Sequence, residues 1–520
     1  MKILYFLAHP ESVGGAMKVM LTQAYIMQQN GNQVQVIIQN NDENKHIPEY
    51  EELCKQYNLK NTSTQYPIAT CIENIDILEC VSQYKTIKKI VQDFEPDILH
   101  SLQLNTTVEY VARELDIPHV MNIYPVSDGM FHIEWLNIFP QYHSGDSYFF
   151  CRKWEQGLGI ETKCIRVAYQ NNNILINNNK NIKDKIEIIN IGVFAKYKRQ
   201  LEIIKAVEKC KQNGYKVHIS FLGNDSNSYA RQCKEFVKER GLDNQVSFVG
   251  QVLGVERYLQ QADLLIHAST CESYPGVIVE AMGNRVPVLV TPVAGVPELV
   301  KDEINGFLTK GYTDKDLYDA FTRYSEYRNS EKIQVIIEHA YETYLLNHTY
   351  DDVYKKLNDY YNKMINDKNS KFNRYAEITK NFEMILEFGR SIGIDNCLME
   401  TKKHLWYLYH IKQDITKKKY KTAIIWGAGY WGKIALEWCN VLSLHVNGIV
   451  DSFKEGEYEG IFVCKPSFEK ITEADVVFLA IADIGACEEN IRVIEKAGKI
   501  RNINYFLTCN NPCIQTEWME

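Results

Sequence analysis

No run of about 18 consecutive apolar residues occurs anywhere in the 520-residue chain, so no segment is expected to cross a bilayer as a helix. A basic field is also missing. The 66 acidic residues outnumber the 58 basic ones for a net charge of −8, which argues against a general nucleic-acid binder. The opening Met1-Lys-Ile-Leu-Tyr-Phe-Leu7 has too short an apolar run for a signal peptide and reads as a first strand. Fourteen cysteines are scattered without a repeated spacing, which predicts reduced thiols in a cytoplasmic protein. Cys509-x3-Cys513 has no partner pair and reads as non-metal. What is there is apolar content, 45% of the chain, enough for packed cores in about three domains.

The most informative stretch is 262–308. Asp263–Ala268 is an apolar run of strand length, Ser269–Tyr274 is polar, and Gly276–Met282 carries apolar residues suited to a helix face. Pro275 fits the first helical turn, where its missing N–H has no partner anyway, and Ser273 is a candidate cap. Glu272 precedes this helix and Glu280 lies a turn or more inside it, at about 1.5 Å rise per residue. Carboxylates accept hydrogen bonds from paired hydroxyls, so one acid can hold a sugar and the other a ribose. The free N–H groups between them would face a diphosphate. A Glu-x7-Glu pair alone is weak in so acidic a chain.

The surrounding motifs sharpen it: Ala268-Ser269 before the loop, Glu280-Ala-Met282, Pro287-Val-Leu-Val-Thr291, Gly295-Val-Pro-Glu298 and Asn305-Gly-Phe-Leu308. On these the chain resembles the donor half of the retaining glycosyltransferase family 4, whose members have the GT-B fold. The resemblance implies an α/β architecture of two doubly wound, Rossmann-like domains facing a cleft. It also implies transfer of a sugar, with retention, from a nucleotide-diphospho-sugar to a glycan or lipid-linked acceptor, without a required cofactor or metal, in bacterial surface polysaccharide or glycoconjugate synthesis. It assigns Glu272 and the Tyr274-Pro275-Gly276-Val277 backbone to the donor sugar, Ile278 and Lys198 to the diphosphate, and Glu280 to the ribose. The leaving diphosphate assists the incoming hydroxyl, so no protein nucleophile is needed.

Residues 1–170 read as the acceptor-side domain, with strands expected at 2–7, 33–38, 97–101, 119–123, 147–151 and 163–167. Gly14 and Gly15 stand at the first strand-to-helix turn, where adjacent glycines serve either a close ligand approach or a tight turn. In the family a double glycine here belongs to the acceptor-side loop. Pro96-Asp-Ile-Leu-His100 resembles the family's Pro-Asp-Val-Val-His strand end, which makes His100 an acceptor-side candidate. Where the family carries a His-Asp pair near the transferring sugar, this chain has Tyr124-Pro125. Tyr124, the nearby Asp128 or a rebuilt site takes that place.

The Asn-rich tract 171–181 reads as an interdomain linker. A donor domain is expected over 182–330. Its first strand ends at Gly192, followed by three cations, Lys196, Lys198 and Arg199, at a turn where phosphates are gripped. The family pattern is Gly-Arg-Leu with a lysine six residues after the glycine; Lys198 matches that lysine, and Val193 replaces the arginine, leaving Lys196 or Arg199 to compensate. Gly223 and Gly250 close later strand ends, where the family places the nucleotide. Asp314-Lys-Asp316 precedes a helical run and reads as helix capping rather than a metal site.

Residues 331–365 read as crossover helices, with Val353, Leu357, Tyr360, Tyr361 and Met364 on one face. Residues 366–419 read as a helical connector. Its Leu405-Trp-Tyr-Leu-Tyr409 run and Lys417-Lys-Lys419 are expected as a packed helix and a solvated linker, with peripheral contact at the inner face of an anionic membrane as the alternative. A third, smaller Rossmann-like domain is expected over 420–515. A strand runs into Gly427-Ala-Gly429-x-x-Gly432, then comes a helix, then a strand ending at Asp451. That order is a dinucleotide fingerprint, with the acid placed for a ribose. It resembles the small nucleotide-binding domain of bacterial sugar acyltransferases and methyltransferases, with a nucleotide or NAD-like ligand as its candidate occupant.

Overall fold

The computed structural model describes residues 1–7, 15–39, 48–64, 76–103, 105–122, 142–158, 161–170, 184–252, 254–367, 383–482, 484–500 and 503–508. Gly14, Tyr124, Asp128, the 171–181 tract, Cys509 and Cys513 lie outside them.

Three sheets form three layered units. The first has order β3-β2-β1-β4-β5-β6-β7, from β1 (Lys2–Leu7), β2 (Gln33–Gln39), β3 (Lys60–Thr64), β4 (Ile98–Leu102), β5 (His119–Asn122), β6 (Tyr142–Gly145) and β7 (Thr162–Cys164). All its pairings are parallel. Ile3, for example, sits opposite both Val34 and Ile98. β1 is buried on both faces over five consecutive residues, as expected of a central parallel strand covered by helices. Those helices are α1 (Gly15–Gln29), α2 (Pro48–Gln56), α3 (Ile77–Phe94), α4 (Thr106–Glu114) and α5 (Tyr148–Leu158).

The second sheet, β10-β9-β8-β11-β12-β13, is also wholly parallel. Its strands are β8 (Ile186–Ile191), β9 (Val217–Leu222), β10 (Val246–Gly250), β11 (Leu264–His267), β12 (Val288–Val290) and β13 (Phe307–Leu308). Its helices are α6 (Gln200–Gln212), α7 (Ser228–Glu239), α8 (Glu256–Gln261), α9 (Gly276–Gly283), α10 (Val296–Leu299) and α11 (Asp314–Tyr327). Two helices then return over the molecule. Ala340 and Tyr344 of α12 (Glu331–Asn347) join the apolar cluster around α9. α13 (Tyr350–Asn366) buries Val353, Leu357, Tyr360, Tyr361 and Met364 in the first domain's core. The face read from the sequence is thus the face that crosses back.

The third sheet, β16-β17-β15-β14-β18-β19, comprises β14 (Thr422–Trp426), β15 (His445–Val450), β16 (Gly456–Tyr458), β17 (Ile461–Cys464), β18 (Val476–Leu479) and β19 (Tyr505–Leu507). It is parallel except for β16 against β17. It does not hang from the rest by a loose tether. One apolar cluster joins Ile77 and Cys80 of α3, Phe150 and Trp154 of α5, the helix Leu405–Lys418, and Trp438 and Phe478 of the third unit.

One expectation is corrected. Residues 147–151 are not a strand: the strand is β6, and Tyr148 opens α5, where Phe150 and Trp154 fall four apart on one buried helix face. Leu405, Trp406, Tyr407 and Leu408 are fully buried in the inter-unit cluster, as expected of a packed helix. No helix among the described residues is long and apolar enough to cross one.

Candidate functional site

Strand order reverses in the second sheet between β8 and β11, and ligands of open α/β sheets bind at the carboxyl ends of strands at such a switch point. Lys198 follows β8, His267 ends β11, and Glu272 follows it. All three converge. Lys198 Nζ pairs with Glu272 Oε1, and His267 Nε2 lies 2.8 Å from the same oxygen. Burial pushes the Glu272 carboxyl up, but Lys198 and His267 outweigh it and hold the group down at about 2. Burial works against the Lys198 charge, yet the pair with Glu272 leaves its pKa above that of a free lysine. The strand-end turns beneath are glycine for a steric reason. A Cβ on Gly223, at φ +142°, would stand 2.1 Å from the Gly192 carbonyl.

α9 starts beside this cluster. Pro275 is its N-cap, and no side chain caps it. The Ser273 hydroxyl, expected as the cap, donates instead to Asp146 at the end of β6. Pro275 accordingly sits just before the first turn rather than in it. The Ile278 N–H, expected to face a diphosphate, donates to the Pro275 carbonyl at 3.1 Å, and its side chain is fully buried. The helix-start donors left for an anion are those of Gly276 and Val277. Tyr274 is packed away from solvent under the Arg166 guanidinium, 4.2 Å from its ring centre, with its hydroxyl 3.2 Å from His348 Nε2. Only its backbone remains for a ligand.

Glu280, one turn into α9, accepts from Lys18 Nζ of α1 at 2.9 Å. Glu280 therefore faces the seam between the first two domains. The same seam holds Glu298, which accepts the Tyr148 and Phe149 N–H groups at the start of α5 and pairs with Arg166. Asp146 is buried there too. Burial raises its carboxyl to about 7, against the pull of the Ser273 hydroxyl and with a small push from Glu272.

The remaining candidates separate. Arg199 has a left-handed backbone, φ +55°, and lies 3.8 Å from Glu202; Lys196 and Val193 are exposed. Gly15 opens α1 with nothing within 4 Å of where a Cβ would stand. His100 is corrected. It shares a strand face with Ile98 and Leu102, is 1% exposed, and bonds Tyr361 of α13 through Nδ1 at 2.6 Å. Burial lowers its pKa to about 3. It is a neutral core histidine rather than an acceptor ligand. Asp314 pairs with Lys209, and Asp316 completes a capping box with Thr313, the N-cap of α11.

Asp451 is corrected as well. Its Oδ2 accepts the Ala428 N–H, and its Oδ1 accepts those of Phe453 and Lys454. Lys454 Nζ and the Tyr458 hydroxyl donate to the carbonyls of Ala428 and Gly429 at 2.5 and 2.7 Å. The acid pins the glycine loop instead of awaiting a ribose. The glycines themselves are required by close approaches: a Cβ on Gly427 would meet the Ala480 carbonyl at 2.5 Å, and one on Gly432 the Gly427 carbonyl at 2.2 Å, whereas Gly429 faces open space.

Solved structures share the architecture of the first two units. A glycosyltransferase from Rickettsia africae superposes with a TM-score of 0.59 at 15% identity, over 71% of this chain and 99% of its own. Anabaena Alr3699/HepE, solved in complex with UDP, gives 0.57 at 17%, over 70% and 100%. The fold is GT-B. Within it, residues 172–343 match the family model described as Glycosyl transferases group 1, the part that carries Lys198, Glu272 and Glu280. Staphylococcus aureus Protein CapJ is 30% identical over 205 residues, 36% of this chain and 49% of that protein. The S. aureus capsular polysaccharide biosynthesis glycosyltransferase CapH is 30% identical over 115 residues, 22% and 32%. The chain thus spans half or less of the length of these curated relatives. The GT-B units account for the first two sheets, and the third is an addition to them.

Sequence reasoning missed His267, Lys18, Asp146 and Arg166. Only His267 left a signal, as a polar residue ending an apolar strand just before the Glu272 loop.

Proposed function

We propose that this chain is a glycosyltransferase that moves a sugar, with retention, from a nucleotide-diphospho-sugar to an acceptor hydroxyl in surface polysaccharide synthesis. The observation that carries the reading is the convergence of Lys198 and His267 on one oxygen of Glu272 beside the uncapped start of α9, with Glu280 one turn further in. CapH supports the polysaccharide context by its described role in capsule biosynthesis, and the Anabaena structure supports a nucleotide in the GT-B cleft by its bound UDP.

In this reading Glu272 accepts hydroxyls of the donor sugar and Glu280 those of the ribose. Lys198 and the Gly276 and Val277 N–H groups neutralise the diphosphate as its bond to the sugar breaks, so charge develops where fixed donors already point. The freed phosphate oxygen takes the proton of the attacking acceptor hydroxyl on the same face of the sugar, which gives retention without a protein nucleophile. The acceptor comes from the side of α1 and Gly15.

The test is turnover of a panel of nucleotide-sugars with glycan acceptors, with Glu272→Ala as control and the product anomer read by NMR. Turnover that the control loses, with the donor's configuration kept, supports the proposal. Donor binding without turnover under any acceptor would instead mark a non-catalytic partner subunit. Val193, where the family carries arginine, makes that the second reading.

A further inference from the structure

Lys18 and Glu280 belong to opposite GT-B domains, yet their side chains meet at 2.9 Å. Each lies about one turn into a helix whose start faces the seam, α1 in one domain and α9 in the other. The contact is embedded on one side. Val19, the next residue of α1, lies against the apolar cluster of α9, and the Glu280 side chain is only 11% exposed, whereas Lys18 remains 47% exposed. Among the described residues, Glu256 at the start of α8 and Tyr57 also act on Lys18, and both favour its ammonium form. Lys18 takes Oε1 of Glu280, and among the described residues no protein donor reaches Oε2. A carboxylate with one oxygen held by a cation and the other open is fixed in orientation and ready to accept a hydroxyl.

We propose that Lys18 is a positioning residue that reaches across the seam to orient Glu280, so that a ribose is recognised by both domains acting together. The inference rests on the reading of Glu280 as the ribose acid. It makes donor affinity depend on domain closure: a nucleotide that enters an open cleft meets a Glu280 free to rotate, and only the closed arrangement presents Oε2 to the sugar hydroxyls.

Calorimetric titration with UDP and with 2′-deoxy-UDP tests it, using GDP and ADP with their deoxy forms if the uridine nucleotide does not bind. Wild type is expected to prefer the ribonucleotide by about tenfold, the scale of one hydrogen bond to a charged group. Lys18→Met is expected to weaken UDP by about tenfold and leave 2′-deoxy-UDP within about twofold, so the preference collapses. Lys18→Arg retains most of it and shows that the fold tolerates change at this position. Lys363→Met, which removes an exposed pair with Glu161, leaves both affinities unchanged. Equal weakening of both nucleotides by Lys18→Met means only a general attraction for phosphate and overturns the inference, as does an unchanged preference. A wild type that binds a ribonucleotide and its deoxy form equally removes the ribose role of Glu280 and the inference with it. If wild type binds none of the nucleoside diphosphates, the functional reading itself fails.

Discussion

The Glu298 carboxylate and the Arg166 guanidinium meet at 2.7 Å on the seam between the two GT-B domains, and each does a second job there. Glu298 accepts the first two N–H groups of α5, while Arg166 donates to the Asp146 carbonyl and lies over the rings of Tyr148 and Tyr274. A planar, forked cation suits this place and an ammonium does not. Arg166→Met is expected to cost about 2–4 kcal/mol because it strands a largely buried carboxylate, read as a fall of roughly 5–10 °C in the melting temperature. Arg166→Lys recovers less than half of the loss. A lysine variant as stable as wild type would show that charge alone matters here.

The ion pair of Lys198 with Glu272 leads to a kinetic expectation. Lys198→Met removes the cation that pairs with Glu272, and is expected to lower kcat for nucleotide-sugar turnover by about 100-fold or more. Neighbouring Lys196, exposed on the same turn, is expected to change it by less than about threefold when replaced by methionine. Similar losses from both variants would indicate a diffuse basic patch rather than a built contact.

The frame was legible because parallel strands read as apolar runs and their helices as amphipathic ones; β1 falls on the expected 2–7 and β2 within a residue of the expected 33–38. The strand-loop-helix of 262–308 was legible because its residues are close in sequence. What a sequence pattern withholds is direction. His100 ends the expected motif, but strand alternation turns it toward α13 instead of the cleft. Tyr148-Phe-Phe-Cys151 is as apolar as a strand, and only the packing of Trp154 and the Glu298 contact make it a helix start. Lys18 and Glu280 are 262 positions apart, and nothing local announces that they meet.

Two glycines separate structural need from function. Gly223→Ala places a Cβ 2.1 Å from the Gly192 carbonyl in a backbone that side chains rarely adopt, and is expected to destabilise the second domain by more than about 2 kcal/mol. Gly15→Ala meets open space at the first residue of α1. Its melting temperature is expected to stay level or rise slightly, while the KM for the acceptor increases. Unchanged acceptor kinetics in a stable Gly15→Ala would remove this glycine from the acceptor side.

In the third unit Asp451 holds a loop already closed by Lys454 and Tyr458, and its backbone donors keep its carboxyl below the usual range despite partial burial. NADH is therefore expected to produce neither energy transfer from tryptophan nor a thermal shift, while Asp451→Ala lowers the melting temperature by loosening the Gly427–Gly432 turn. Nicotinamide binding that disappears in Asp451→Ala would reverse the assignment.

Asp146 gives the chain a pH dependence of definite sign. Unfolded, its carboxyl titrates just below 4; folded, burial brings it to about 7. Between those values the folded protein keeps a proton that the unfolded chain has lost, so this group's contribution to stability is complete below pH 4 and is lost as pH rises to about 7, by at most about 4 kcal/mol. Glu272 runs the opposite way: with its carboxyl held at about 2, its contribution is present above about pH 4.5 and fades only below that, outside the window. Asp146→Asn can still accept the Ser273 hydroxyl but cannot titrate. Its melting temperature is expected to gain on wild type steadily from pH 4.5 to 7, with a constant difference from pH 7.5 to 8.5. A difference that is flat across the whole range would mean that Asp146 is ionised throughout, and that the Arg166 guanidinium, not burial, sets its charge.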